Sequence, residues 1–174
     1  SMTQVTGRAP AKVNLHLGVG GLRPDGKHAL ATLYQAVGLY DDVTVVEADD
    51  WAVGLTEPVD GVPLDDDNIA IRAGRALTAH HGLDRAARIT IAKGIPVMGG
   101  MAGGSADAAA TLLALDRLWD LQTSDEDLLR IAGTLGSDVP FALLGGTALG
   151  TGHGEIVRDR KSTRLNSSHV SESR

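Results

Sequence analysis

Residues 96–109 read PVMGGMAGGSADAA. Two glycine pairs, Gly99-Gly100 and Gly103-Gly104, precede Ser105 and a run of helix-forming residues. Glycine admits positive φ and lets other atoms approach the backbone. A helix start offers unpaired N–H groups and a partial positive charge. A glycine-rich turn feeding a helix is therefore a cradle for an anion, typically phosphate. The other reading is a turn that lets a helix and a strand pack tightly. Ser105 can cap the helix or bond a phosphate oxygen or a magnesium ion. No lysine follows the glycines, so G-x-x-x-x-G-K-[ST] is absent. Met98 stands where G-x-G-x-x-G needs glycine.

Outward from this stretch the chain reads as an α+β fold. Residues 88–92 (RITIA) predict a strand leading into the loop, and a helix is expected over 105–118. Residues 13–19 (VNLHLGV) alternate as a half-buried strand, and residues 43–47 and 52–56 predict two more. Pro24-Asp25-Gly26 is a turn signal. Residues 29–39 are ambiguous between helix and strand. A helix beginning near Asp67 or Asn68 and closed by Gly82 is predicted. Thr123-x-x-Glu126 reads as a capping box before a helix stopped by Gly136. Residues 137–155 predict turns and one or two short strands, including TALGTGHGE, which fits a strand and turn better than a second phosphate loop.

Composition narrows the classes. The 174 residues suit one domain or slightly more. Two Trp, two Tyr and one Phe leave the core to Val, Leu, Ile and Ala. A net charge of −6 argues against nucleic-acid or anionic-membrane partners. There is no cysteine, so disulfides and thiolate metal sites are excluded. No run is long enough to span a membrane and no signal-peptide core opens the chain, so a cytoplasmic location is expected. The histidines lack zinc-ligand spacing, Asp65-Asp66-Asp67 reads as a helix-start turn, and Ser105 has no evident histidine partner for a triad. Residues 158–174 lack periodicity, predict disorder, and look more like translated vector than evolved protein.

Two charged residues add chemistry if they converge on the glycine loop. Asp138, after a helix stop, can accept the proton of an attacking hydroxyl. Lys12, beside an expected strand start, can stabilise the developing charge. Alone, the first could be a helix cap and the second a surface charge.

The stretches together resemble the GHMP kinase superfamily, whose phosphate loop has the form P-x-x-x-G-[LM]-[GA]-[SG]-[SG]-[SA]. Residues 96–105 fit with one extra residue after the proline. Within it the chain is more closely similar to the 4-diphosphocytidyl-2-C-methyl-D-erythritol kinases, in actinobacterial form, through PAKVNLHL, RPDGKHAL, Asp67-Asn68-Ile69, Lys93-Gly-Ile-Pro96 and LGSDVPF at 135–141. The resemblance covers about 5–157.

It implies the N-terminal ATP-binding domain over 1–157, ribosomal protein S5 domain 2-like, with a left-handed βαβ crossover and with the C-terminal domain missing. It implies ATP as phosphoryl donor, magnesium, and a small-molecule substrate, a cytidine diphosphate-linked methylerythritol phosphorylated on its 2-hydroxyl. Asp138 would be the base and Lys12 its support, with Asn14, Lys27 and His28 at the substrate. Asn68, Lys93 and Asp107 would surround the nucleoside. Pro96, Met98, Gly99, Gly100, Met101, Ala102, Gly103, Gly104 and Ser105 would form the phosphate loop. Lys27 departs from the family's Tyr or Phe, which predicts weaker substrate affinity or another stacking group. A chain lacking the second half is expected to be poorly stable and largely inactive. Another small-alcohol kinase of the homoserine or mevalonate type and a non-catalytic nucleotide-binding module are the alternatives; an RNA-binding domain fits poorly with the acidic balance.

Overall fold

The computed structural model describes residues 3–11, 36, 38–96, 103–152 and 155–158. Among the described residues six strands and four helices follow in the order β1 (Gln4–Pro10), β2 (Tyr40–Ala48), β3 (Ala52–Leu55), α1 (Ile69–His81), β4 (Ala86–Ala92), α2 (Gly103–Leu118), α3 (Asp125–Leu135), α4 (Val139–Leu144), β5 (Thr147–Gly152) and β6 (Glu155–Arg158). The strands form one sheet in the order β3-β4-β2-β1-β5-β6. All neighbours are antiparallel except β3 and β4, which run parallel on either side of α1 as a βαβ unit. The expected α+β class is what the sheet and helices form.

Period-2 alternation decides which face is covered. Val5, Gly7 and Ala9 of β1, Val43 and Val45 of β2, and Ile89 and Ile91 of β4 are buried. Register places Val5 opposite Val45 and Val45 opposite Ile89, so the apolar side chains form one continuous inner face. The outer face carries Thr6, Arg8, Asp42 and Thr44. There Arg8 forks onto Asp42 at 2.8 and 3.0 Å and stacks on Tyr40.

Helix α2 lies against this inner face, and α1, α3 and α4 pack around its other sides. Every residue from Ala106 to Leu115 is therefore buried. Its alanines favour helix and keep the helix thin. At Gly7 the approach is closest: a Cβ there would lie 2.2 Å from the Ala110 carbonyl oxygen. Only glycine permits β1 to sit so near the helix backbone.

Asn68 caps α1 by accepting the Ala70 N–H at 2.8 Å, and Gly82 closes it in the left-handed region at φ 64°. Helix α3 differs from the capping-box expectation. Ser124 is its N-cap, accepting from the Asp127 N–H at 3.2 Å. Thr123 instead donates to Asp116 and hydrogen-bonds His81. Helix α4 was not expected; Pro140 stands in its first turn, where no N–H is needed. Strand β1 also lies where none was predicted, while the predicted strand at 13–19 lies outside the described residues. Strand β5 lies within the stretch where short strands were expected, and β6 runs on past it to Arg158, where the disordered tail was expected to begin. Among the described residues no helix is long and apolar enough to cross a membrane.

Replacing Gly7 by Ala should destabilise the fold by about 2 kcal/mol, since the contact is with backbone that cannot rotate away. Denaturant unfolding measures this; an unchanged midpoint would contradict the packing of β1 on α2.

Candidate active site

The glycine-rich stretch ends in the first turn of α2. Gly103 begins the helix and is buried, Gly104 is exposed and Ser105 is half-buried. The first N–H groups of α2 thus open beside an accessible surface, as an anion cradle requires. The start of α1 lies next to it: Ile69, following the Asn68 cap, is 3.8 Å from where a Gly104 Cβ would stand.

Beneath this turn lies a buried charge cluster. Lys93 follows β4, and its ammonium is 2.7 Å from Asp41 Oδ2 and 2.9 Å from Asp107 Oδ2. The three side chains are 7%, 0% and 4% exposed. Asp41 also accepts the N–H groups of Gly94 at 2.7 Å and Ile95 at 2.9 Å through Oδ1. One carboxylate thereby fixes both the lysine and the backbone that leads into the loop. Gly103 closes over the lysine, since a Cβ there would lie 3.0 Å from Lys93 Nζ.

Burial pulls the Lys93 ammonium towards neutrality, but Asp107 and Asp41 outweigh it and hold its pKa above the usual lysine value. Burial pushes the Asp107 carboxyl well above the ordinary range; the neighbouring Asp41 raises it further, and Lys93 only partly offsets this. The folded state therefore keeps a proton on Asp107 to higher pH than the unfolded chain does. The stability linked to this group is complete below about pH 4, the ordinary Asp pKa, and is lost as pH rises through the folded value.

Residues 68–146 match the family model of the GHMP kinases N-terminal domain. The match begins at the cap of α1 and ends just before β5. The chain carries a GHMP kinase N-terminal domain. A 4-diphosphocytidyl-2-C-methyl-D-erythritol kinase of Nocardioides sp. is 68% identical over 154 residues, which are 86% of this chain and 52% of that protein. One from Streptomyces avermitilis is 57% identical over 156 residues, 89% of this chain and 52% of that protein. The chain spans about half the length of the curated relatives it matches. The crystal structure of homoserine kinase from Cytophaga hutchinsonii shares the fold, with a TM-score of 0.59 at 17% identity, covering 90% of this chain and 51% of that one.

Within the GHMP kinase domain, Lys93, Asp107, Gly103, Gly104 and Ser105 come together around the α2 start. Asn68 sits at the adjoining α1 start, where its amide is engaged: Oδ1 caps the helix and Nδ2 donates to the Pro63 carbonyl at 2.8 Å. Pro96 is exposed just before the loop. Asp138 occupies the N-cap position of α4, without a side-chain capping bond. Lys12, Asn14, Lys27, His28, Met98, Gly99, Gly100, Met101 and Ala102 lie outside the described residues. Sequence reasoning missed Asp41. Its signal was present: in YDDVTV the inward positions are Asp41, Val43 and Val45, and a carboxylate in that row needs a buried cation.

Replacing Lys93 by Met should destabilise the domain by about 3 kcal/mol at neutral pH, because two buried acids lose their counter-charge. The deficit should shrink as pH falls, since the raised Asp107 carboxyl takes up a proton before an ordinary carboxylate does. Unfolding curves across pH check this; a deficit independent of pH would contradict the cluster's electrostatics.

Proposed function

We propose that this domain binds ATP with its phosphates on the α2 N-terminus and serves phosphorylation of the 2-hydroxyl of 4-diphosphocytidyl-2-C-methyl-D-erythritol. The observation that carries the reading is the α2 start, where a glycine run meets a helix whose first turn is exposed at Gly104 and half-buried at Ser105. The names of the relatives at 68% and 57% identity supply the acceptor. Asp138 takes the proton as the substrate oxygen attacks the γ-phosphorus, the bond from that phosphorus to the bridging oxygen breaks, and ADP leaves. Lys12 supports the charge that develops. Asn14, Lys27 and His28 hold the acceptor. A cytoplasmic setting belongs to this proposal, since the donor is ATP.

Magnesium belongs to it as well. That ion binds few protein ligands and leans on phosphate oxygens and water. The donors fit such an ion: Ser105 offers a half-buried hydroxyl in the first turn of α2, and Asp107 is committed to Lys93. Among the described residues no three His, Cys, Asp or Glu side chains form a metal cluster of their own. Bound there, magnesium would neutralise charge on the phosphates. Among the described residues, Ser105 would help to hold it.

Replacing Asp138 by Asn should leave MgATP affinity within about twofold. It should lower single-turnover transfer to the methylerythritol substrate by about 10²-fold or more, the usual loss for a general base. Calorimetric titration and product analysis read the two effects. Failure of the unsubstituted chain to bind MgATP would overturn the proposal. An Asp138→Asn variant that behaves as the unsubstituted chain does would favour the non-catalytic nucleotide module.

A further inference from the structure

The segment that carries the chain from β3 to α1 is tied at two points. The Thr56 N–H donates to the Ile91 carbonyl at 3.0 Å. The Pro63 carbonyl accepts from Asn68 Nδ2 at 2.8 Å. Between the ties run residues 57–62, EPVDGV, in which Glu57, Pro58, Asp60 and Gly61 are exposed. Asp60 and Gly61 make a turn, and Gly61 holds φ at 85°, in the left-handed region that glycine adopts without strain. A Cβ built on Gly61 would meet nothing within 4 Å. Among the described residues no group hydrogen-bonds or ion-pairs with the Asp60 carboxylate.

A carboxyl directly followed by glycine faces a main-chain nitrogen with no Cβ beside it. Chain connectivity alone brings the Gly61 nitrogen within reach of Asp60 Cγ, and closing the gap needs only rotation about bonds of Asp60. Every other aspartate among the described residues precedes a residue that carries a side chain. Several of them are also committed: Asp41 and Asp107 to Lys93, and Asp42 to Arg8.

We propose that Asp60–Gly61 is a site of spontaneous main-chain isomerisation to isoaspartate. The Gly61 nitrogen attacks Asp60 Cγ and a C–N bond forms. The amide proton and the carboxyl hydroxyl leave together as one water. The five-membered imide then takes up one water. Cleavage of the new bond to Cγ returns aspartate. Cleavage of the bond from the same nitrogen to the Asp60 main-chain carbonyl carbon leaves the chain running through Cγ, with the former main-chain carbonyl as a free carboxylate. Water balances, nothing is oxidised or reduced, and the net charge is unchanged. The extra main-chain carbon is taken up within 57–62, because Thr56 keeps its tie to β4 and Pro63 its tie to Asn68. The fold persists and the altered carboxylate stands exposed. The site does not depend on the ATP reading.

The test ages the purified chain at neutral pH and physiological temperature, then digests it. An isoaspartyl methyltransferase with a labelled sulfonium methyl donor marks isoaspartyl carboxylates, and mass mapping locates the label. Label should accumulate on the peptide holding Asp60. Asp60→Glu, whose imide would need a sixth ring member, should lose it. Gly61→Ala should accumulate it about tenfold more slowly, since the added Cβ shields the nitrogen and narrows the turn's conformations. That comparison is repeated in urea, where folding of the variant does not enter. Folded and urea-unfolded chains should label Asp60 at rates within about threefold, because the folded turn is already free to open. No label on that peptide, or undiminished label on it in either variant, would overturn the site. A folded rate below that range would overturn the freedom of the turn.

Discussion

A lysine buried between a sheet and a helix must be matched where it stands, and the arrangement around Lys93 follows from that requirement. Its two acids come from different elements: Asp41 from the start of β2 and Asp107 from the second turn of α2. The lysine itself follows β4. One cation therefore joins the central strands to the central helix at the end of the sheet where the glycine loop arrives. Asp41 extends the tie to the backbone through the Gly94 and Ile95 N–H groups. Such a cluster adds little net stability over a well-packed apolar one, but breaking it is costly, so it fixes position more than it strengthens the fold.

Packing supplies the rest of that fixity. Helix α2 is covered on all sides, by β1, β2 and β5 on one side and by the other helices elsewhere. Small residues on both surfaces bring it close: alanines on the helix and Gly7 on the strand. Close-packed interiors do not deform continuously. The first turn of α2 is thus held at a set height above Lys93, with Gly104 and Ser105 left accessible. A rigid frame carrying an open helix start suits a group that must hold phosphates while chemistry occurs at their far end.

Much of this was legible in the chain. The strands at 40–48, 52–55 and 86–92 show alternation or β-branched runs, and the caps Asn68, Gly82 and Gly136 mark helix ends. Strand β1 was hidden because its inward residues are Val5, Gly7 and Ala9, small for the same reason that α2 can approach. A strand chosen for closeness carries a weak apolar signal. Helix α4 was hidden because Pro140 and the following glycines read as turn chemistry, although proline suits a helix's first turn. The α3 cap fell one residue from expectation because Thr123 is drawn to Asp116 and His81. At the site, the glycine turn and Lys93 could be read locally. Asp41 could not be paired with them, because it lies 52 residues before Lys93 and only the sheet brings them together.

The most direct measurement is a crystal structure of this chain with magnesium and a non-hydrolysable ATP analogue. The account predicts phosphate oxygens on the backbone N–H groups of residues 103–105, with Lys93 still bound to Asp41 and Asp107 beneath them. Phosphates bound elsewhere, or Lys93 drawn away from both aspartates onto the nucleotide, would contradict it.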